Sequence, residues 1–275
     1  REFKVYPAAG VCTEGERGGI MERLLRIENV TQKFGGLTAL NNVNMHVDKG
    51  EIVGIIGPNG SGKTTMFNII TGIYRPTEGQ VLYQDEPITG MEPYLISRKG
   101  LARTFQNIRL FSRMTAFDNV VIGMHARTKT NMCDIVLHLP RKRREEKECE
   151  ERAMELLKLV DLYDVRYELA SSLSYGHQRR LEIARALATG AEILLLDEPA
   201  AGMNEQETDE LLQIIRRIKE LKKTVILIDH DMKFVMNICE RLYVLNYGVL
   251  IADGTPEEIS KNQDVIDAYL GEDDE

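Results

Sequence analysis

Three short stretches carry residues that could do chemistry on a phosphate. The first is GPNGSGKT, Gly57 to Thr64. Its glycines let successive backbone N–H groups turn inward on phosphate oxygens. Lys63 has the reach for β- and γ-phosphates, and the Thr64 hydroxyl can hold Mg2+. Pro58, Asn59 and Ser61 fill the loop between Gly57, Gly60 and Gly62, and Thr65 follows as a helix begins. The second stretch is LLLDEP, where Asp197 and Glu198 follow an apolar run. An aspartate there can support Mg2+, directly or through water. The adjoining glutamate can orient or deprotonate a water that attacks the γ-phosphate. The third is ILIDH, where Asp229 and His230 end another apolar run and His230 could meet the γ-phosphate and that water.

A fourth stretch, SLSYGHQRRLEIARAL from Ser172 to Leu187, turns abruptly from small and polar residues into a helix pattern. Ser174 and Gly176 then stand at a helix N-terminus, where a hydroxyl and a backbone N–H can meet an anion. One chain thus carries two phosphate cradles, far apart in sequence.

Each of these groups needs a rigid support. Ile52, Val53, Ile55 and Ile56 form a β-branched run fit for a buried parallel strand. Thr65, Phe67, Ile69 and Ile70 continue into a helix whose N-terminus faces the phosphates. The runs from Ile193 to Leu196 and from Val225 to Ile228 make two more buried strands. Parallel strands deliver the residues at their carboxyl ends to one edge, where ligands bind. GLARTF predicts another core strand, and RLYVLNYGVLIADG a closing hairpin around Asn246 to Gly248. Leu24 to Val47 reads as short strands turning at Gly35-Gly36, an antiparallel layer beside the main sheet to which Val81 to Tyr83 adds.

Between Gln106 and Ala188 the pattern is helical, which predicts a helical subdomain inserted into the core over about residues 106–190. Within it, RKRREEKECEERAMELLKLVDL places Met154, Leu157 and Val160 at helical spacing behind mixed charges. That is a solvated helix that becomes amphipathic; the weaker alternative is that Arg141 to Arg144 meet lipid headgroups. GTPEEIS starts a helix, with Thr255 as N-cap, Pro256 at the first helical position and Glu258 closing a capping box.

Taken in order, the phosphate loop, TFQ around Gln106, LSYGHQ, ILLLDEP and DHDM resemble the ATP-binding-cassette (ABC) ATPases, over Leu24 to Gly271. The resemblance implies an α/β P-loop NTPase core with a mostly parallel sheet, an antiparallel β layer and the inserted helical subdomain. It implies ATP hydrolysis with Mg2+. It also implies that two cassettes pack head to tail, each ATP lying between Lys63 of one and Ser174 and Gly176 of the other. Two cradles on one chain then serve two nucleotides. By the same resemblance Gln106 touches Mg2+ or the attacking water and reports nucleotide state to a partner. Phe34 stacks on adenine, unless it is a turn residue packed on the sheet, and Gly202 to Asn204 lie in the loop that crosses to the second subunit. Tyr175, His177 and Asn204 depart from the commoner residues of the family, while Ser174 and Gly176 keep the contact chemistry.

The finer likeness is to the ATP-binding subunits of branched-chain amino-acid importers. It is carried by KFGGLTALNNVN, RTFQNIRLF, SYGHQRRLEIARAL, LDEPAAGMN, DHDMKFVM and VIDAYLGE. It implies a second cassette, identical or distinct, transmembrane permease subunits on other chains and, indirectly, a solute-binding protein. The place of work is then the cytoplasmic face of the cell membrane, held peripherally through the permease. Two alternatives stay open. The lipopolysaccharide-export ATPases share related pieces but typically lack the charged insertion. Soluble cassette ATPases of translation or DNA repair usually carry two cassettes or a long coiled coil. Ile108, Leu110 and Phe111, just after Gln106, either pack the helical subdomain or line a groove for a permease helix, with Arg109 as its anchor.

Bulk properties narrow the classes further. The 275 residues are 43% hydrophobic and 28% charged, enough for a sizeable core. A formal net charge of −8 argues against a nucleic-acid protein held by a broad basic surface. No apolar run approaches the roughly 20 residues that span a bilayer. The four cysteines are scattered with no C-x-x-C pair, which reads as reduced thiols and not a disulfide frame or zinc site. Residues 1–20 show no periodicity and no signal-peptide core, and read as a disordered arm or as a non-native extension ahead of a natural start at Met21. The cassette then spans residues 21–271, and residues 272–275 read as a frayed tail.

Overall fold

The computed structural model describes residues 22–125 and 140–270. The expectations for residues 1–20 and 272–275 lie outside the described residues, as do the side chains of Arg141 to Arg144. The core is a six-stranded sheet in the order β10-β9-β3-β8-β7-β6. Strands β3 (Ile52–Ile56), β6 (Leu101–Arg103), β7 (Ile193–Asp197), β8 (Thr224–Ile228) and β9 (Arg241–Asn246) run parallel, and β10 (Val249–Gly254) returns antiparallel to β9. Every residue of β3, β7 and β8 is buried, as expected of parallel strands covered on both faces.

Alternation along these strands feeds two separate cores. Val53, Ile55, Leu195 and Ile226 face the antiparallel layer and helix α1 (Lys63–Ile70). Ile52, Ile56, Leu194, Leu196, Val225 and Leu227 face the opposite way, toward the helical side. The antiparallel layer has the order β2-β1-β4-β5, from β1 (Arg23–Phe34), β2 (Leu37–Asp48), β4 (Glu78–Tyr83) and β5 (Glu86–Pro87). The turn is at Gly35-Gly36, but β1 and β2 are 12 residues each and not short. Register shifts along the pair, as between Ile27 and Val30, break the simple alternation that sequence reading looks for.

A buried polar seam joins the two layers. Arg241 donates to both carboxylate oxygens of Glu51, at 2.9 and 2.6 Å, and its Nη1 lies 2.5 Å from His46 Nε2. The Tyr243 hydroxyl donates to the His46 carbonyl at 2.8 Å. Burial pushes the Tyr243 phenol up to about 12. Burial, then the Arg241 charge, holds the His46 imidazole below its ordinary value.

Between β6 and β7 the chain enters the inserted helical layer: α3 (Ala116–His125), α4 (Pro140–Leu159) and α5 (Tyr175–Ala188), in mutual contact. Gly123 permits the α3–α5 approach, since a Cβ there would sit 2.6 Å from the Arg185 carbonyl oxygen. On α4 the buried stripe is Ala153, Leu156 and Leu157, continuing to Val160, with Met154 only half-buried at its flank. A further helix, α2 (Pro93–Lys99), packs on β6.

Helix α6 (Glu205–Glu220) buries Leu211, Leu212, Ile214, Ile215 and Ile218, and α7 (Met232–Ile238) packs beside it. The short α8 (Pro256–Ser260) opens on the predicted Thr255/Glu258 capping box, and α9 (Gln263–Leu270) closes the described chain. No helix of the described residues is long and apolar enough to cross a membrane.

Candidate nucleotide site at the carboxyl edge of the sheet

The parallel strands bring their carboxyl ends to one edge, and each expected group follows one of them. Strand β3 runs into Gly57, and β6 into Thr104, Phe105 and Gln106. Strand β7 delivers Asp197 and Glu198, and β8 delivers Asp229 and His230.

The loop after β3 is pressed between two supports. Gly57 has φ 146°, and a Cβ on it would lie 2.0 Å from the Leu245 carbonyl oxygen of β9. Gly62 has φ 107° and would strike Leu40 Cδ2 at 2.7 Å and the Ala39 oxygen at 2.8 Å. Only glycine meets both demands. The tip of the β9–β10 hairpin closes over the loop, with the Gly248 N–H donating to the Ser61 carbonyl at 2.9 Å. This clasp was not expected from sequence.

Lys63 opens α1 and is 7% exposed. Its Nζ donates to the carbonyls of Gly57 at 2.6 Å and Pro58 at 2.7 Å, so the ammonium is folded into the loop. The Ser61 hydroxyl is buried with no hydrogen-bond partner, although buried polar groups are almost always paired. A loop with an unpaired buried hydroxyl, a buried cation and a helix N-terminus fits phosphate oxygens. Thr64 is exposed in the first turn of α1 and Thr65 is half-buried. The Thr64 hydroxyl is therefore available to a divalent cation that arrives with the phosphates. Mg2+ typically takes one or two protein ligands plus phosphates and water.

The structure brings the three expected catalytic groups together. Glu198 Oε2 accepts from Gln106 Nε2 at 2.8 Å, and Oε1 lies 2.8 Å from His230 Nε2. Glu198 sits at φ 48°, in the left-handed region that is unfavourable for a side-chain-bearing residue. Its N–H donates to the Ile228 carbonyl at 2.8 Å, tying the turn after β7 to the end of β8. Asp229 supports the same turn: it accepts from the N–H of Ala200 and of Asp231, both at 3.0 Å. Burial raises the Asp229 carboxyl above its ordinary value, and these backbone donors pull the other way.

Asp197 has company that sequence reasoning missed. Arg103, the last residue of β6, donates to Asp197 Oδ2 at 2.7 Å and to Asn68 Oδ1 of α1 at 2.7 Å. Its guanidinium also lies 5.5 Å from the Phe67 ring centroid and 5.6 Å from that of Phe105. A metal held by Asp197 would thus share that carboxylate with Arg103. A charged residue closing an apolar strand was the available signal.

The second cradle looks different. Ser174 caps α5, accepting from the His177 N–H at 3.3 Å, and remains exposed. Gly176 packs on α6, where a Cβ would meet Glu207 Oε1 at 2.6 Å. Glu207 is in turn fixed by a capping box with Asn204. The contacts found for Ser174 and Gly176 therefore run to α5 and α6 and not to the loop at residues 57–64. Phe34 is exposed at the end of β1 and meets Tyr74 edge-on, with ring centroids 5.2 Å apart.

An open cavity of about 500 Å³ lies beside this edge, between α2, β6, α3 and α5, lined by Tyr94, Phe105, Phe111, Ile122 and Arg185 among others. Of the three apolar candidates after Gln106, Phe111 lines the cavity, and Ile108 and Leu110 do not. Leu110 packs against the main core. The Arg109 guanidinium lies over Phe105 at 4.4 Å.

The chain is similar to known proteins over most of its length. The ABC transporter family matches residues 40–201, and the branched-chain amino acid ATP-binding cassette transporter family matches residues 249–275. The chain is 48% identical to the high-affinity branched-chain amino acid transport ATP-binding protein BraF of Pseudomonas aeruginosa, covering 90% of this chain and 98% of BraF. Identity and coverage are the same for LivG of Escherichia coli K12. The lipopolysaccharide export system ATP-binding protein LptB of Escherichia coli K12 is more distant, at 33% identity over 90% of this chain and 98% of LptB. Among solved structures, the ADP conformation of the cassette MJ1267 superposes with a TM-score of 0.79 at 32% identity, covering 90% of this chain and 99% of that one. A dimeric cassette, MJ0796 bound to ADP and Pi, matches with a TM-score of 0.71 at 29% identity, over 85% of this chain and 99% of that one. The chain belongs to the ABC transporter family, as one of its ATP-hydrolysing cassettes.

Proposed function

We propose that this chain powers an importer of branched-chain amino acids, as one of two ATP-hydrolysing cassettes held under a transmembrane permease at the cytoplasmic face of the membrane. The observation that carries the hydrolytic half is the Glu198 carboxylate, held between Gln106 and His230 at the sheet edge that also bears the 57–64 loop. The transport half is supported by 48% identity, over nearly the whole of both chains, to BraF and LivG. LptB, at 33%, favours the lipopolysaccharide alternative less.

The loop from Gly57 to Thr64 binds the phosphates with its backbone N–H groups, the Ser61 hydroxyl and the Lys63 charge. Phe34 stacks on the adenine. Glu198 takes the proton of the attacking water as its oxygen bonds to the γ-phosphorus and the bond to ADP breaks. Gln106 and His230 aim that carboxylate and the water. When bound, Mg2+ neutralises phosphate charge, and Thr64, Gln106 and Asp197 are the residues that would hold it. Ser174 and Gly176 close the site of the other cassette, identical or distinct, and the Gly202–Asn204 loop lies at that junction. Residues 21–271 make the cassette and about 106–190 its helical subdomain. The cavity beside Phe111 takes a permease helix, so an exposed apolar surface next to Gln106 serves a partner. A solute-binding protein delivers the amino acid on the far side.

Uptake of labelled leucine, isoleucine and valine, with other small solutes as controls, in a strain lacking this gene tests the reading. Selective loss of the three, restored by the native chain but not by Glu198→Gln, is expected. Unchanged branched-chain uptake with loss of another solute would overturn the substrate.

A further inference from the structure

Among the described residues Arg179 is the most deeply buried charged side chain, at 1% exposure, and the proposed hydrolysis does not use it. It lies on α5, one turn after Tyr175. Its Nη1 donates to the Phe105 carbonyl at 2.5 Å, and its Nη2 donates to the Gln106 carbonyl. The same Nη2 donates to the Tyr175 hydroxyl at 3.1 Å. Nη1 also pairs with Glu182 at 3.2 Å, both side chains being 2% exposed. The other Glu182 oxygen accepts from the Arg109 N–H at 3.3 Å.

One buried ion pair therefore grips the segment Phe105–Arg109 at both ends. Gln106, within it, reaches Glu198. The nitrogen that holds the Gln106 carbonyl also holds the hydroxyl of Tyr175, which sits between Ser174 and Gly176. A guanidinium is planar, and its donors keep fixed relative directions. A shift of the Gln106 backbone must then tilt the fork or break a charge-assisted bond, and either is felt at Tyr175. The Arg179 Nε is buried without a partner, so the group is held for its outer contacts and not for full satisfaction.

We propose that Arg179 is a positioning residue that couples the two phosphate cradles of one chain: the nucleotide state sensed at Gln106 sets the placement of Ser174 and Gly176, which face the other cassette's nucleotide. The idea rests on the two-cassette reading above, but the linkage lies inside one chain and can be tested there.

The measurement is backbone hydrogen exchange on the full chain at a concentration where sedimentation shows a monomer. Peptides covering residues 104–112 and 172–188 are followed with Mg2+ and either ADP or a non-hydrolysable β,γ-imido analogue of ATP. In the native chain both peptides should change protection between the two nucleotides. In Arg179→Lys, which keeps the charge but not the fork, the 104–112 response should persist. The 172–188 response should fall by about tenfold in exchange-rate ratio, within the usual range of coupling between sites. A purely structural brace would loosen both peptides equally in both nucleotides, and that result would overturn the proposal. So would a native 172–188 peptide indifferent to nucleotide, or a full response in Arg179→Lys. If Arg179→Lys does not fold, Tyr175→Phe decides: it removes only the hydroxyl that accepts from Arg179, and an unchanged 172–188 response would overturn the proposal. Failure of dimerisation in Glu198→Gln with ATP would instead sink the two-cassette reading and leave this linkage measurable in the monomer.

Discussion

The two phosphate cradles differ in how completely their own chain builds them. The first is walled in. Ser61 is 2% exposed and Lys63 7%, and Gly57 and Gly62 are pressed against Leu245 and Ala39. The second is open, with Ser174 exposed and Tyr175 44% exposed beside it. A helix N-terminus in open water holds an anion weakly, because the field of its dipole is screened and fades within a turn. The first cradle can bind by itself, and the second needs another surface to exclude water. This difference is what the proposed head-to-tail pairing would account for.

The sharpest break of the first cradle is at its chemistry. Glu198→Gln should keep ATP binding and slow hydrolysis by on the order of 10²–10⁴-fold, since an amide cannot take the proton. Single-turnover hydrolysis checks this, and a native rate would mean another group is the base. Lys63→Ala should weaken ATP binding by about 10- to 100-fold, the equivalent of one charged hydrogen bond of roughly 1.5–3 kcal/mol. Equilibrium binding of labelled ATP reads it, and unchanged affinity would remove Lys63 from the phosphates.

Much of the first cradle was legible because its determinants are local. A strand, a glycine loop and a helix follow one another within Ile52 to Ile70, and the acidic and histidine groups end their own apolar runs. What was not legible is remote. The clasp of Gly248 on Ser61 joins positions 187 residues apart, and the Arg103–Asp197 pair 94 apart. Arg179 lies in QRRLEIAR, where the six residues Arg179 to Ala184 are all buried, so no polar-apolar period marks it out. On α4 the spacing of Met154 and Leu157 suited a helix face as well as Ala153 and Leu156 did. Only the packing of α3 and α5 chose between them.

The region between the cradles gives the next contrast. Leu110→Gln should lower stability by about 1–3 kcal/mol, because it places an amide against the core. Phe111→Gln, on the open cavity, should leave the thermal midpoint unchanged and weaken permease binding by about tenfold. Melting curves and co-purification separate the two. A Phe111→Gln chain that still binds the permease fully would move docking elsewhere.

The smallest effect lies at the seam away from both cradles. His46 is held below its ordinary 6.5 by burial and by Arg241, with Arg23 acting in the same sense and Asp48 and Glu51 opposing. The folded state therefore favours the neutral ring. Its contribution is full above pH 6.5 and is lost as the pH falls through the lower folded value. The melting temperature should drop on going from pH 7.5 to 5.5, and His46→Gln should flatten that slope. An unchanged slope would place the acid sensitivity in another group.

Head-to-tail sharing is tested most directly by distributing two defects over a dimer of differently tagged copies. Lys63→Ala and Ser174→Arg are placed either on the same copy or one on each. If the cradles of one chain serve different nucleotides, the split arrangement leaves one site intact, Lys63 of one copy with Ser174 of the other. That dimer should trap one ATP in a Glu198→Gln background. With both changes on one copy, each shared site carries a defect and no ATP should be trapped. The opposite pattern, trapping when both changes sit on one copy and none when they are split, would mean that each chain closes its own site and would contradict the account.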